Sequence, residues 1–299
     1  FALAERFLGD LHRSGKYSRY KTEYGRIAIF KEYVGSDRLP FEQITVSLLQ
    51  GFAAYLKGIR RIKERTISNY MILIRSIYNQ AIKDRLVSRD DYPFGKGKIT
   101  IKLPEAVKVG LTQEEVRSLE NATLTGYHDH ARRVWLLSFY CAGMRLSDVL
   151  KLKHTDITDG RLSYAMSKNS KVGSIKLPIK AHAILDHYPK HTGIQSPYIL
   201  PELHEYTHAD PYTVQKRIAH CGKRLEKALK QIAEQLKINK KLSMHVARHS
   251  FAQIAADKIP VQILQKLYRH SHISTTIGYQ SHFTTQHTDA ALDQVIGDV

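Results

Sequence analysis

The sequence predicts a mainly α-helical protein of two domains, with a small β-hairpin in the second. Three observations carry this. Within the first hundred residues, apolar side chains recur at intervals of three and four. A stretch rich in Pro, Gly and Lys, "DYPFGKGKITIKLPEAVKVG" (91–110), then breaks the pattern. Further on, "GRLSYAMSKNSKVGSIKLP" (160–178) has strand-like ends around a polar turn. The boundary is placed so that residues 1–105 form a helical domain and 106–299 a second, larger one.

In the first domain, "YSRYKTEYGRIAIFKEYVG" (17–35) sets Tyr20, Tyr24, Ile27 and Val34 near helical spacing, and Gly35 is the expected stop. "PFEQITVSLLQGFAAYLKGI" (40–59) offers Ile44, Leu48, Phe52 and Leu56 at steps of four. "RTISNYMILIRSIYNQAIKDRLV" (65–87) gives Ile67, Tyr70, Ile74, Ile77 and Ala81. Arg61, Lys63, Arg65 and Arg75 lie at or near the start of this third helix, either as a nucleic-acid contact or as an ordinary solvated basic edge. Residues 91–110 read as an interdomain linker. Thr112 and Glu115 then form a capping-box pattern that starts a new helix. "HARRVWLLSFYCAGMRLSDVLKLKHTDI" (130–157) reads as a buried helix, a turn at Gly143 and a second helix, and the chain from about Tyr212 onward as helical.

Charge narrows the class of partner. The 46 Lys and Arg against 28 Asp and Glu give a net charge of +18. Residues 1–105 hold 20 basic and 11 acidic side chains and the remainder 26 and 17, so the excess is not a basic tail. Basic surface spread through folded sequence suits a long polyanion, because each neutralised phosphate releases counterions. No stretch approaches the ~20 apolar residues that span a bilayer; the densest run, "VWLLSFYCAGM" (134–144), is closed by Arg145. The first residues lack the pattern of a secretory signal, and the opening at Phe1 leaves room for residues upstream. Two cysteines, Cys141 and Cys221, fit neither a disulfide scaffold nor a Cys-rich zinc site, and a reducing cytoplasm is the expected setting.

Four polar places do not fit a plain core. Arg145 directly follows an apolar helix in "CAGMRLSDVL", where a guanidinium needs a partner; an ion pair with Asp148 is the structural alternative. In "HVARHSFAQIAA" (245–256), His245 and Arg248 share a helix face. His245 and His249 also stand at the spacing of a zinc pair, but the metalloprotease glutamate and a third ligand are missing, so no metal is expected. Lys168 and Lys171 lie at the hairpin tip, where lysines are commonly just solvated. The fourth place is "RHSHISTTIGYQSH" (269–282), with His270 nine residues before Tyr279.

Together these residues point to phosphoryl chemistry. Two arginine forks can hold a phosphodiester and stabilise charge on its nonbridging oxygens. A tyrosine phenol can attack, provided cations or a base offset its ordinary pKa of ~10, and a lysine or histidine can protonate the departing oxygen. No metal or other cofactor is required.

The second domain resembles the tyrosine recombinase, or phage integrase, family. "GMRLSD" matches that family's first arginine segment, "SKNSK" its hairpin lysine, "HVAR" its H-x-x-R element and "YRHSHISTTIGYQSH" its final histidine and tyrosine. The 22 residues from Arg248 to His270 also agree, and the helical first domain looks like the family's core-binding, SAM-like domain in pattern and position. The resemblance implies a C-shaped clamp on a DNA duplex carrying a specific recombination site. Arg145, Arg248 and His270 would bind the scissile phosphate, Tyr279 would attack it, and Lys168 would be the general acid, with Lys171 the other candidate. His245 would assist proton transfer or hold the phosphate. Four protomers would act through a Holliday junction without ATP, and the arrangement leaves room for accessory DNA-bending proteins. Relaxation of supercoils by a type IB topoisomerase, and DNA binding without catalysis, are the competing expectations. Arg269 departs from the family, which has glycine there, and is expected to reshape the turn or add a DNA phosphate contact. Leu292, Val295, Ile296 and Val299 would form one apolar face of a terminal helix that docks on a neighbouring protomer, or on its own domain.

Overall fold

A computed structural model of the chain describes residues 1–104, 108–167, 170–188, 196–256, 258–280, 292–293 and 296–297, with the backbone alone at 279 and 280. The chain divides into two compact units, Phe1–Ala106 and Val107–Val299.

Among its described residues the first unit contains four α-helices, α1 (Ala2–Arg13), α2 (Tyr17–Val34), α3 (Val46–Gly58) and α4 (Glu64–Lys83). α2 stops where expected, at Gly35, which takes the left-handed conformation (φ 70°) that a glycine adopts without strain. α3 starts later than the sequence pattern suggests. Pro40 leads only into a short 3-10 turn, and the helix begins after Thr45, whose side chain accepts the N–H of Leu48. Phe30, Leu49, Phe52, Leu56, Ile67, Tyr70, Ile74 and Tyr78 form the core. On α2 the pattern misleads at one turn: Tyr24 is 57% exposed, whereas Glu23 is buried, paired with Arg26 at 2.8 Å.

The first half of the expected linker belongs to this unit. Phe94 is buried in the core, Tyr92, Ile99 and Ile101 pack against it, and Phe94 bridges Ile99. Ser68 donates to the Lys102 carbonyl at 2.8 Å and Arg65 to that of Pro104 at 2.7 Å. Aromatic and β-branched residues set among the Pro, Gly and Lys supply the apolar area that a free linker would lack.

The second unit begins with α5 (Gln113–Asn121), which carries the complete Thr112–Glu115 capping box. α6 (Gly126–Tyr140) follows and packs against later helices that include α8 (Ile179–Leu185), α9 (Pro211–Gln235) and α10 (Met244–Ala256). Its Trp135 is fully buried, with Nε1 donating to the Ser243 carbonyl at 3.1 Å. α7 (Leu146–Leu150) leads to an antiparallel sheet of β1 (Ile157–Thr158), β2 (Arg161–Ala165) and β3 (Val172–Lys176), in that order. The expected hairpin is thus β2–β3, with Tyr164 opposite Gly173, and β1 adds a short third strand. α11 (Val261–Tyr268) and α12 (Ile273–Gln280) close the described fold. Among the described residues, no helix is long and apolar enough to cross a membrane.

Candidate active site

α10 carries the site's central side chain because small and apolar residues seat it in the core. Val246, Ala247, Ala252 and Ala255 are buried, and so is Arg248, which is only 2% exposed. A guanidinium so deep needs partners. Nη1 donates to the Gly143 carbonyl at 3.0 Å and Nη2 to the Tyr268 carbonyl at 3.3 Å. Its carbon lies 3.5 Å from the centre of the Tyr268 ring, a cation–π contact, and the Tyr268 hydroxyl donates back to the Arg248 carbonyl. Among the described residues, its buried Nε has no hydrogen-bond partner.

The turn that brings Arg145 to this helix depends on Gly143. Ala142 and Gly143 both have positive φ (55° and 66°), and Ser138 fixes the turn by donating to the Met144 carbonyl and accepting the Met144 N–H through its own carbonyl. A Cβ on Gly143 would sit 2.7 Å from the Arg248 Cα, so only glycine permits this approach. Two residues on, Arg145 occupies the N-cap of α7, half-buried, and donates to the Met166 sulfur at 3.6 Å. Asp148, 3% exposed, accepts the N–H of Ser167 at 2.9 Å and so ties the chain just beyond β2 to the Arg145 segment.

His270 meets Arg248 from the other side, with Nε2 3.2 Å from Arg248 Nη2. Arginine only donates, so Nε2 accepts, and a neutral ring then carries its proton on Nδ1. That nitrogen lies 3.0 Å from Oγ1 of the buried Thr276 on α12, which accepts it. Gln265 fixes the backbone here: its carbonyl accepts the His270 N–H and its side-chain amide donates to the His270 carbonyl, both at 3.1 Å.

His245 is exposed on α10 and its ring lies 4.7 Å from that of His249, edge to face. Burial, helped by the positive charges of His245, Lys108 and Arg248, pushes the His249 imidazole down to about 4. Among the described residues, no group of three His, Cys, Asp or Glu side chains could hold a metal.

The structure therefore brings His270 to Arg248, with Arg145 two residues beyond the Gly143 carbonyl that Arg248 holds and His245 on the same helix as Arg248. Tyr279 lies in α12, three residues beyond Thr276; its side chain, Lys168 and most of the expected terminal helix (Val295 and Val299 included) lie outside the described residues. Lys171 reaches toward the same corner, donating to Ser271 Oγ at 2.9 Å. Arg269 sits at the left-handed C-cap of α11. Its guanidinium donates to the carbonyls of Tyr164, Lys171 and Gly173, which binds the hairpin to the His270 corner. In the first unit, Arg61, Lys63 and Arg65 are exposed at the start of α4, while Arg75 is half-buried about 15 Å further along the helix.

Sequence reasoning missed Thr276 and Lys108. Thr276 was one of a Ser-Thr-Thr run with nothing to single it out. Lys108 was assigned to the linker, yet a Cβ on Gly278 would lie 3.1 Å from its ammonium nitrogen, next in sequence to Tyr279.

Comparison with known proteins identifies the family of both units. A model of the phage integrase SAM-like domain matches residues 1–101, and one of the phage integrase family matches residues 110–286. A tyrosine recombinase from Thermosipho africanus is 28% identical over 225 residues, covering 73% of this chain and 71% of that protein. Tyrosine recombinase XerD from Listeria innocua is 25% identical over 234 residues, covering 76% and 74%. Among solved structures, the Tn1549 transposon integrase in complex with a circular intermediate DNA superposes with a TM-score of 0.73 at 15% identity, covering 98% of this chain and 99% of that one. A lambda integrase dimer bound to a core site gives 0.60 at 18% identity, covering 90% and 93%. At these identities the two structures speak to the fold. With its catalytic-domain model spanning residues 110–286, the chain belongs to the phage integrase family of tyrosine recombinases.

Proposed function

We propose that this chain is a site-specific DNA recombinase that cuts and rejoins strands through a 3′-phosphotyrosyl intermediate. The observation that carries the reading is the buried Arg248 fork held against His270, with Arg145 on the adjoining turn and Tyr279 in the helix that supplies Thr276. Two guanidiniums and an imidazole gathered in a poorly solvated place suit one dianionic group, the trigonal-bipyramidal phosphorane formed as a phosphodiester is attacked. Arg248 and His270 are held by protein partners before substrate arrives, and such positioning is where a site of this kind gains rate.

In the reaction, the Tyr279 phenol oxygen forms a bond to phosphorus as its proton passes to His245 or to solvent, and the bond to the 5′ oxygen breaks. The electron pair passes to that oxygen, which takes a proton from a hairpin lysine, Lys168 or Lys171. His245 serves proton transfer or phosphate binding. The phosphotyrosyl ester stores the bond energy, so the 5′-hydroxyl of a partner strand reverses the step without ATP. Strand exchange between two sites then passes through a Holliday junction made by four protomers, linked through their C-terminal segments and aided by DNA-bending proteins at the nucleoid. The basic helical unit, with Arg61, Lys63 and Arg65 at one edge and Arg75 further along, grips the duplex beside the cleavage site.

A nicked suicide duplex carrying the cognate site tests this. Wild type is expected to form a denaturation-resistant protein–DNA adduct and Tyr279→Phe none. An adduct with Tyr279→Phe removes the assigned nucleophile. Four-way junctions formed from two duplexes separate recombination from simple relaxation.

A further inference from the structure

Arg269 has no role in the chemistry above, yet it joins the hairpin to the corner that presents His270. It ends α11 in the left-handed conformation (φ 52°, ψ 39°), which disfavours a side chain. From there its guanidinium crosses to the hairpin. Nη1 donates to the carbonyls of Tyr164 and Lys171, both at 2.9 Å, and Nη2 to that of Gly173 at 3.1 Å. Its carbon lies 4.2 Å from the centre of the Tyr164 ring. Tyr164 and Gly173 are direct cross-strand partners, so one side chain holds both strands at the mouth of the turn. The fit is close enough that a Cβ on Gly173 would lie 2.5 Å from Arg269 Nε. A second bond, from Lys171 Nζ to Ser271 Oγ, crosses the same seam.

Between these held residues the sequence carries both lysines that could protonate the leaving oxygen, Lys168 and Lys171. A hairpin is an adaptable element, and proton donation needs its donor within hydrogen-bond reach of one oxygen. We propose that Arg269 is a positioning residue for the general acid, setting the lysine-bearing turn in register with His270. The proposal rests on the reading that a hairpin lysine is that acid.

The test separates leaving-group protonation from every other step. In a duplex whose bridging 5′ oxygen at the scissile phosphate is replaced by sulfur, the leaving group departs as a thiolate and needs no proton. Single-turnover adduct formation is measured for the full chain on both duplexes, with wild type, Arg269→Gly, Lys168→Ala and Lys171→Ala. Glycine suits the left-handed backbone at 269, and a thermal melt checks that the variant is folded. Arg269→Gly is expected to cleave the oxygen duplex roughly 10- to 100-fold more slowly, in keeping with a misplaced donor. It is expected to cleave the sulfur duplex at near the wild-type rate, with the dissociation constant for DNA unchanged. Equal slowing on both duplexes, no slowing, or weaker DNA binding would overturn the proposal; the last would make Arg269 a phosphate contact. If a lysine variant is rescued by sulfur and Arg269→Gly is not, the positioning role alone fails. If neither lysine variant is rescued, the acid assignment fails and takes this proposal with it.

Discussion

Gly143→Ala probes the geometry on which the arginine pair depends. Two effects add. The added methyl meets the Arg248 Cα at 2.7 Å, backbone that yields only if the turn or α10 shifts, and overpacking of this kind costs about 1–3 kcal/mol. Holding a residue with a Cβ at φ 66° costs about 1–2 kcal/mol more. The sum, about 2–5 kcal/mol, lowers the melting temperature by about 4–20 °C, at 2–4 °C per kcal/mol for a unit of this size. The displacement also draws the Gly143 carbonyl away from Arg248 Nη1 and moves Arg145 on the same turn. A shift near 1 Å at such a pair slows adduct formation by about 100-fold. Differential scanning calorimetry and single-turnover cleavage measure the two effects separately. Gly25→Ala is the control: it lies within α2 with nothing within 4 Å of the added methyl, and is expected to be neutral or stabilising by up to ~1 kcal/mol. A Gly143→Ala protein melting within 1 °C of wild type and cleaving within twofold of it would refute the close-approach argument.

Two further perturbations test the histidines. Thr276→Val keeps the shape but removes the acceptor for His270 Nδ1; we expect a loss of about 1–2 kcal/mol, roughly tenfold slower cleavage, and a changed balance of imidazole tautomers in nitrogen NMR spectra. His249 is held neutral by burial and by positive neighbours, with its pKa near 4 against ~6.5 unfolded. The unfolded chain therefore binds the extra proton between those values, and this contribution to stability, present above pH 6.5, is lost as pH falls toward 4. Because His249 is only half-buried, we expect about 1–2 kcal/mol rather than the full shift; the melting temperature of wild type should fall relative to His249→Gln between pH 7 and 4.5, and parallel curves would count against it.

Much of this was legible in the sequence because it depended on residue type and local spacing. The α2 and α4 periodicities, the Gly35 stop and the Thr112–Glu115 box are decided by neighbours within a turn or two. Part of the candidate site was legible for a related reason: an arginine placed where a core helix should bury apolar residues requires partners, as Arg248 shows. What the sequence hid were choices made at long range. Whether Arg269 faces solvent or the hairpin depends on carbonyls about a hundred positions away. Phe94 joins the first unit's core despite lying in a Pro- and Gly-rich stretch, because the aromatic cluster of Tyr78 and Tyr92 receives it. Glu23 replaces Tyr24 as the buried residue because Arg26 lies one turn on to pair with it. A two-residue strand such as β1 has too little sequence to carry a pattern.

The burial of Arg248 also bears on how the gene can change. A guanidinium 2% exposed, whose Nε has no partner among the described residues, commonly lowers the folding stability of its own domain relative to a well-packed apolar side chain of similar volume. Selection for stability and selection for strand exchange therefore pull in opposite directions at this one codon. A copy released from its reaction, as happens when a mobile sequence becomes stranded, could gain stability by replacing Arg248 while still folding and holding DNA. An apolar residue at this position in an otherwise intact relative would mark a binder descended from a recombinase, and its melting temperature would be higher than that of the active form.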